Sequence, residues 1–297
     1  MRSPPFDSLV HRDDPEAFLA LARQHYENFP VGSFLVPRRL RRHVHRIYAF
    51  ARIADDIADE RRDAALLARY RADFLAHRRG ETAGLPLFVD LSATIEELGL
   101  PEQLFLDLLE AFAQDLRVRR YGSEAELFAY CRLSADPVGR LVLRVFGHDD
   151  PALDALSDRI CTGLQLLNHL QDLGEDLRDR DRIYFPEPDL ARFGVAPDDL
   201  LAARAGDGLR ALVRHWLDRT VAMFADGWPL TEAVRGRLRL ELRAIVGSAC
   251  AVARRIRACD HDVLGGAVEL PKIGKVGALL RAFSGRRPPE LRRPGPR

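Results

Sequence analysis

Lysine is almost missing from this chain. Lys272 and Lys275 are the only two among 45 basic residues in a sequence of 297. The positive charge is therefore carried by arginine, and 44 acidic residues balance it to a formal charge of +1. That balance argues against a strongly basic nucleic-acid binder and against an acidic disordered tail. Cysteine is also scarce: Cys131, Cys161, Cys250 and Cys259, with no CxxC pair. A disulfide framework or a structural zinc site is not expected, and a reducing compartment is. No stretch reaches the ~18 apolar residues that a membrane span requires. The opening MRSPPFDSLVHRDD has no apolar core of the length a secretory leader needs, so a cytoplasmic protein is expected. Strand-length alternation is lacking too, since LFVD and RIYF are short and isolated. There is no GxGxxG; Gly163, Gly174 and Gly194 are scattered.

What the sequence does contain is helical period. With 47% hydrophobic residues the chain can bury a sizeable core. Asp14 and Pro15 open one expected helix. Pro37 opens a longer one, in which Leu40, Val44, Ile47, Ala51, Ala54 and Ala58 recur at three- and four-residue steps. Further helices are expected over roughly 63–78, 85–98, 102–120, 123–146, 149–176, 198–226 and 230–260, separated by turns such as LGLPE, GHDDP and GWPL. The pattern predicts an all-α protein larger than a four-helix bundle, with one domain over 15–262 and an arginine-, proline- and glycine-rich flexible tail over 263–297.

Two acidic clusters stand out against this background: Asp55, Asp56 and Asp59 in ADDIADE, and Asp172, Glu175 and Asp176 in QDLGED. Asp55 and Asp59 are one helical turn apart, as are Asp172 and Asp176. Both pairs are expected near helix C-termini, where the helix dipole disfavours anions. Hard divalent cations would offset that charge, because Mg²⁺ takes carboxylate, water and phosphate oxygens. A solvated acidic face beside arginines is the other reading of the spacing. No Glu-x-x-His pair points to a di-iron bundle.

The neighbouring residues fit an oily substrate with an anionic head. Tyr48 and Arg52 lie seven and three residues before Asp55, so one helix face runs from aromatic to arginine to carboxylate. Asn168 lies four before Asp172, and Arg182 and Tyr184 follow in DRDRIYFP.

These segments resemble the squalene/phytoene synthase family of head-to-head prenyl-coupling enzymes. The matching pieces are YAFARIADDIAD, ending at Asp59, and NHLQDLGED at 168–176 followed by DRIYFP. NFPVGSFLVP at 28–37 and CRLSADPVGRLVLRVFG at 131–147 resemble the hydroxysqualene synthases of the hopanoid-pathway branch. The resemblance implies the isoprenoid synthase fold with a central cavity. It implies Asp55, Asp59, Asn168, Asp172 and Asp176 as ligands of several Mg²⁺ ions around a diphosphate. Arg52 matches a diphosphate-binding arginine, Ser33 and Phe34 a flap and wall, and Tyr48 and Tyr184 aromatic positions near the reacting centre. Tyr130 and Val138-Gly139 match a helix break beside the cavity, and Arg182 belongs to the loop over the anion. The implied reaction takes presqualene diphosphate and water to hydroxysqualene and diphosphate, without NADPH. It also implies functional coupling to a presqualene diphosphate synthase, with transient peripheral contact at the inner membrane face.

Some readings stay open at this point. The same motifs would serve presqualene diphosphate synthesis from farnesyl diphosphate, squalene synthesis with NADPH, or phytoene synthesis from geranylgeranyl diphosphate. A non-catalytic helical adaptor is the reading from another class, although such a protein would be expected to lose an acidic motif. RRLRRHVHR at 38–46 is read as a solvated helix face and not as a nucleic-acid site. The sequence departs from the wider family at LSADPVG, residues 133–139, where Pro137 is expected to kink a helix. His43, His45, His169 and His215 show no zinc-like partner set, and His169 is expected in packing.

Overall fold

The computed structural model describes residues 35–264 and 285–291. The expected helix after Asp14, together with Ser33 and Phe34, lies outside those residues. Among the described residues there are α-helices and short 3₁₀ turns and no strand, as the absence of alternation predicted. They fall into two compact units: 35–117 with 140–149, and 118–139 with 150–264 and 285–291.

In the first unit, α1 (Arg38–Asp59) begins directly after Pro37, whose carbonyl accepts from the Leu40 amide at 2.9 Å. Its buried residues are His43, Ala49, Phe50, Ile53, Ala54, Ile57 and Ala58. That stripe differs from the expected one: Leu40, Val44, Ile47 and Ala51 are only half-buried. Phe50 decides the rotation. Its ring lies 4.9 Å from Phe74, 5.4 Å from Tyr70 and 5.5 Å from Phe105, and a ring that size contributes more burial than Ala51 can. His43 sits on the same side because its Nδ1 meets Thr94 Oγ1 at 3.1 Å; burial lowers its basicity. Helices α2 (Ala64–Arg78), α3 (Pro86–Leu98) and α4 (Glu102–Asp115) supply the aromatic partners and pack on α1. Asp63 caps α2 by accepting from Leu66 N–H at 2.9 Å, and Gly99 ends α3 in the left-handed region at φ 60.

The second unit is built on α7 (Pro151–Gln171) and α10 (Asp207–Gly227), which pack along their length. Asp150 caps α7, with Pro151 in its first turn. Gly163 lets the two helices approach: a Cβ there would lie 2.8 Å from the Phe224 ring. Around this pair stand α5 (Glu124–Ser134), α8 (Leu173–Arg180), α9 (Glu187–Phe193), α11 (Leu230–Ala233) and α12 (Gly236–Ala258). Trp216, Phe185 and Phe224 are fully buried in its core. The remaining helix, α6 (Asp136–Val145), starts in this unit and ends among residues of the first.

Three expected helices are divided. The 123–146 stretch breaks at Ala135, the 149–176 stretch at Asp172, and the 230–260 stretch between Ala233 and Gly236. The 198–226 stretch starts later, at Asp207, after a 3₁₀ turn over Pro197–Leu201. Of the expected tail, residues 285–291 are described. Leu291 is buried, Glu290 pairs with Arg254 at 2.5 Å, and Arg287 donates to the Ala225 carbonyl at 3.0 Å.

Candidate active site

The first acidic cluster closes α1. Arg52 reaches Asp56 at 2.6 Å, Asp55 at 3.0 Å and Glu60 at 3.2 Å. One guanidinium thus serves three carboxylates, which is how the fold holds this charge at the end of α1 where the dipole opposes it. Asp59 is half-buried. Tyr48 lies on the same helix, half-buried; burial raises its hydroxyl above the usual value, Arg52 acts against that rise, and Asp56 and Asp55 add to it. The expected series of aromatic, arginine and carboxylate along one helix is present in this unit.

The second cluster corrects the expected geometry. Asp172 does not lie within a long helix: it ends α7 and opens α8, with φ −99 and ψ 7. Glu175 and Asp176 therefore occupy the first turn of α8, where the dipole favours anions, and not a helix C-terminus. The one-turn spacing survives the break. The Asp172 amide donates to the Asn168 carbonyl at 2.9 Å, and the Asp176 amide donates to the Asp172 carbonyl at 2.8 Å. Asn168 is half-buried, Asp172 exposed and Asp176 buried. Arg180 pairs with Asp176 at 3.3 Å.

Beyond α8 the chain turns through Asp181 in the left-handed region, φ 51. Arg120 holds that turn, donating to both the carbonyl and the carboxylate of Asp181. The turn carries Arg182 inward: its amide donates to the Asp176 carbonyl at 3.1 Å, and its Nη1 donates to Tyr184 Oη at 2.7 Å. Tyr184 lies 5.5 Å from Tyr130 and 5.8 Å from Tyr121, and it stacks on His169. Arg182, Tyr130, Tyr184 and His169 are all buried. Burial, helped by the charge of Arg182, pushes the His169 imidazole down to about 3. So Tyr130, Arg182, Tyr184 and Asp176, read from separate motifs, share one locality of the second unit.

The break at Ala135 has its own cause. Pro137 is the second residue of α6, where its missing N–H leaves no hydrogen bond unmade. It starts a helix and does not kink one, contrary to the expectation. Asp136 beside it is buried and accepts from Thr162 Oγ1 at 2.9 Å. A Cβ on Gly139 would lie 2.3 Å from Ser157 Oγ and 2.5 Å from Cys161 Sγ, so only glycine lets α6 settle on α7 here.

Several residues went unseen in the sequence. Arg180 was readable as an i,i+4 partner of Asp176, whereas Tyr121 stands in an irregular stretch with no periodic signal. The sequence offers His215 no metal partners. The fold brings Glu124 and Asp189 to it, with one ligand atom from each of the three residues within 4.8 Å of the others. Their separations in sequence gave no hint of that.

Asp55 and Asp59 in the first unit, and Asn168, Asp172 and Asp176 in the second, each offer oxygen donors and no sulfur or imidazole, the donor type that hard cations such as Mg²⁺ take. No helix among the described residues is long and apolar enough to cross a membrane.

Comparison with known proteins gives a consistent result. The sequence profile described as squalene/phytoene synthase matches residues 22–274. Hydroxysqualene synthase of Rhodopseudomonas palustris is 38% identical over 264 residues, covering 87% of this chain and 88% of the relative. Presqualene diphosphate synthase of the same organism is 32% identical over 203 residues, covering 67% and 72%. The crystal structure of a squalene synthase from Alicyclobacillus acidocaldarius superposes with a TM-score of 0.75 at 40% identity, over 87% of this chain and 97% of that one. The helical architecture is that of the isoprenoid synthases.

Proposed function

Given that the chain belongs to the squalene/phytoene synthase family, we propose that it converts presqualene diphosphate and water to hydroxysqualene and diphosphate. The observation that carries this reading is the 38% identity to a hydroxysqualene synthase across nearly the whole chain. Both acidic motifs being intact supports catalysis over an adaptor role.

Asp55, Asp59, Asn168, Asp172 and Asp176 would hold Mg²⁺. When bound, the metal supplies positive charge to the diphosphate as the C–O bond breaks and the electron pair leaves with it. The chain's own residues do the rest. Arg52 exchanges one of its carboxylate partners for the diphosphate. Tyr130 and Tyr184 present ring faces to the carbocation, which π-systems attract. His169 stays neutral beside them and so adds no opposing charge. Arg182 fixes Tyr184 through its hydroxyl. The water oxygen then bonds to the cation and gives up one proton to the released diphosphate. Atoms and charge balance without a reductant, so NADPH is not required. Ser33 and Phe34 complete the substrate-binding set carried over from the family.

The substrate comes from a presqualene diphosphate synthase, and both substrate and product are apolar enough that the enzyme docks transiently on a membrane face. The test is incubation of the purified protein with presqualene diphosphate and Mg²⁺, without NADPH, followed by mass spectrometry. Hydroxysqualene is the expected product. Turnover of farnesyl diphosphate alone, to presqualene diphosphate, would reassign the protein to the preceding step; phytoene from geranylgeranyl diphosphate would reassign it to the carotenoid reaction.

A further inference from the structure

The second unit contains a group of side chains for which the proposed reaction has no use. Glu124 opens α5, Asp189 lies in α9, and His215 and Arg219 lie one turn apart on α10. Arg219 takes both oxygens of Glu124, at 2.5 and 2.6 Å, which keeps that carboxyl below its ordinary range and ionised. The fork accounts for Arg219 and for two lone pairs of Glu124. It leaves Asp189 and His215 unexplained.

Asp189 is only 8% exposed. Its Oδ2 and the Nε2 of His215 are both buried, and neither has a hydrogen-bond partner among the described residues. Arg219 lends Asp189 positive charge from nearby, but its fork is taken up by Glu124, so the buried Oδ2 is left without a donor, which is costly. The imidazole is already held in place. Phe193 lies 5.5 Å from it, and Trp216 meets it nearly edge-on at 5.9 Å.

We propose that Glu124, Asp189 and His215 bind one divalent transition-metal ion, of which Zn²⁺ is the natural probe. The ligands come from three helices, and one atom of each already lies within 4.8 Å of the other two. Zn²⁺ holds nitrogen and carboxylate oxygen at ~2.0–2.2 Å, so side-chain rotation closes the remaining gap. One imidazole and two carboxylates suit a borderline cation better than Mg²⁺. A metal there would join α9, a helix of seven residues, to α5 and α10. The nearby Arg219 and Arg192 charges oppose the cation and weaken its binding.

The experiment is Zn²⁺ titration of the full chain by calorimetry, after chelation and in the presence of excess Mg²⁺, with the d–d absorption of Co²⁺ as a second readout. One equivalent should bind, and Zn²⁺ should raise the melting temperature. Asp189→Asn and His215→Gln should each weaken binding at least about tenfold, while Asp55→Asn and Asp172→Asn leave it unchanged. Circular dichroism checks that each variant folds; His215→Gln, at a half-buried position, is the safer of the two. The proposal fails if no Zn²⁺ binds beside Mg²⁺. It fails equally if the Asp189 and His215 variants bind as the parent does, or if binding vanishes with the Asp55 or Asp172 substitution. The outcome is independent of which prenyl substrate the enzyme turns over.

Discussion

The imidazole of His169 lies flat on the phenol ring of Tyr184, with centroids 3.5 Å apart and planes 15° from parallel. This contact ties the helix that carries Asn168 to the loop that carries Arg182. It also keeps a titratable ring in a place where charge is expensive.

That expense has a sign. The folded state holds His169 at about 3, whereas the unfolded chain titrates it near 6.5. Between those values the unfolded state binds the extra proton, so stability falls as pH drops from about 6.5 towards 3. His169→Phe retains an aromatic ring on Tyr184 and removes the titration. Urea unfolding at a series of pH values should show a shallower acid decline in the variant, by up to about 1.4 kcal/mol per pH unit. Parallel curves for parent and variant would contradict this.

Gly139→Ala should destabilise the protein by about 1–3 kcal/mol, the usual range for overpacking. Its methyl would collide with Ser157 Oγ and Cys161 Sγ. Adding Ser157→Ala removes one of the two clashes and should recover part of the loss. Denaturant midpoints of the single and double variants measure both effects.

Cys131, Cys161 and Cys250 are buried, and burial pushes the thiols of Cys161 and Cys250 up to about 12 and raises that of Cys131 as well. Cys259 is partly exposed. A thiol-reactive dye should therefore label only Cys259 in the native protein and all four cysteines after denaturation. Peptide mapping of the labelled protein identifies the site.

Asp55→Asn and Asp176→Asn should each lower kcat by about 10²–10³ under saturating Mg²⁺, the scale on which loss of one charge-stabilising group acts. Circular dichroism should show folded variants, because Asp55 shares Arg52 with Asp56 and Glu60. Retained activity in either variant would remove that residue from the metal-holding set.

The helical character and the two acidic motifs were legible in the sequence, because period and spacing are local properties. The buried face of α1 was not, since Phe50 turns the helix towards Tyr70, Phe74 and Phe105, which come from later helices. The break at Asp172 is hidden in the sequence for a related reason. The one-turn hydrogen bonds run through it from Asn168 to Asp176, so the spacing reads as continuous helix. Pro137 was legible as a disturbance, but whether proline kinks a helix or begins one depends on Ala135 leaving the helical path. The grouping of Glu124, Asp189 and His215 depends wholly on tertiary packing.

The bonded ladder from Asn168 through Asp172 to Asp176 also bears on how this segment can change over evolutionary time. Each added or deleted residue would swing the later carboxylate by about 100° around the axis. Packing limits the side chains between the rungs, with His169 stacked on Tyr184 and Gly174 pressed against the Leu200 carbonyl, and the ladder limits their number. Length variation in related chains should accordingly collect outside 168–176, in stretches such as the turn before Asp207.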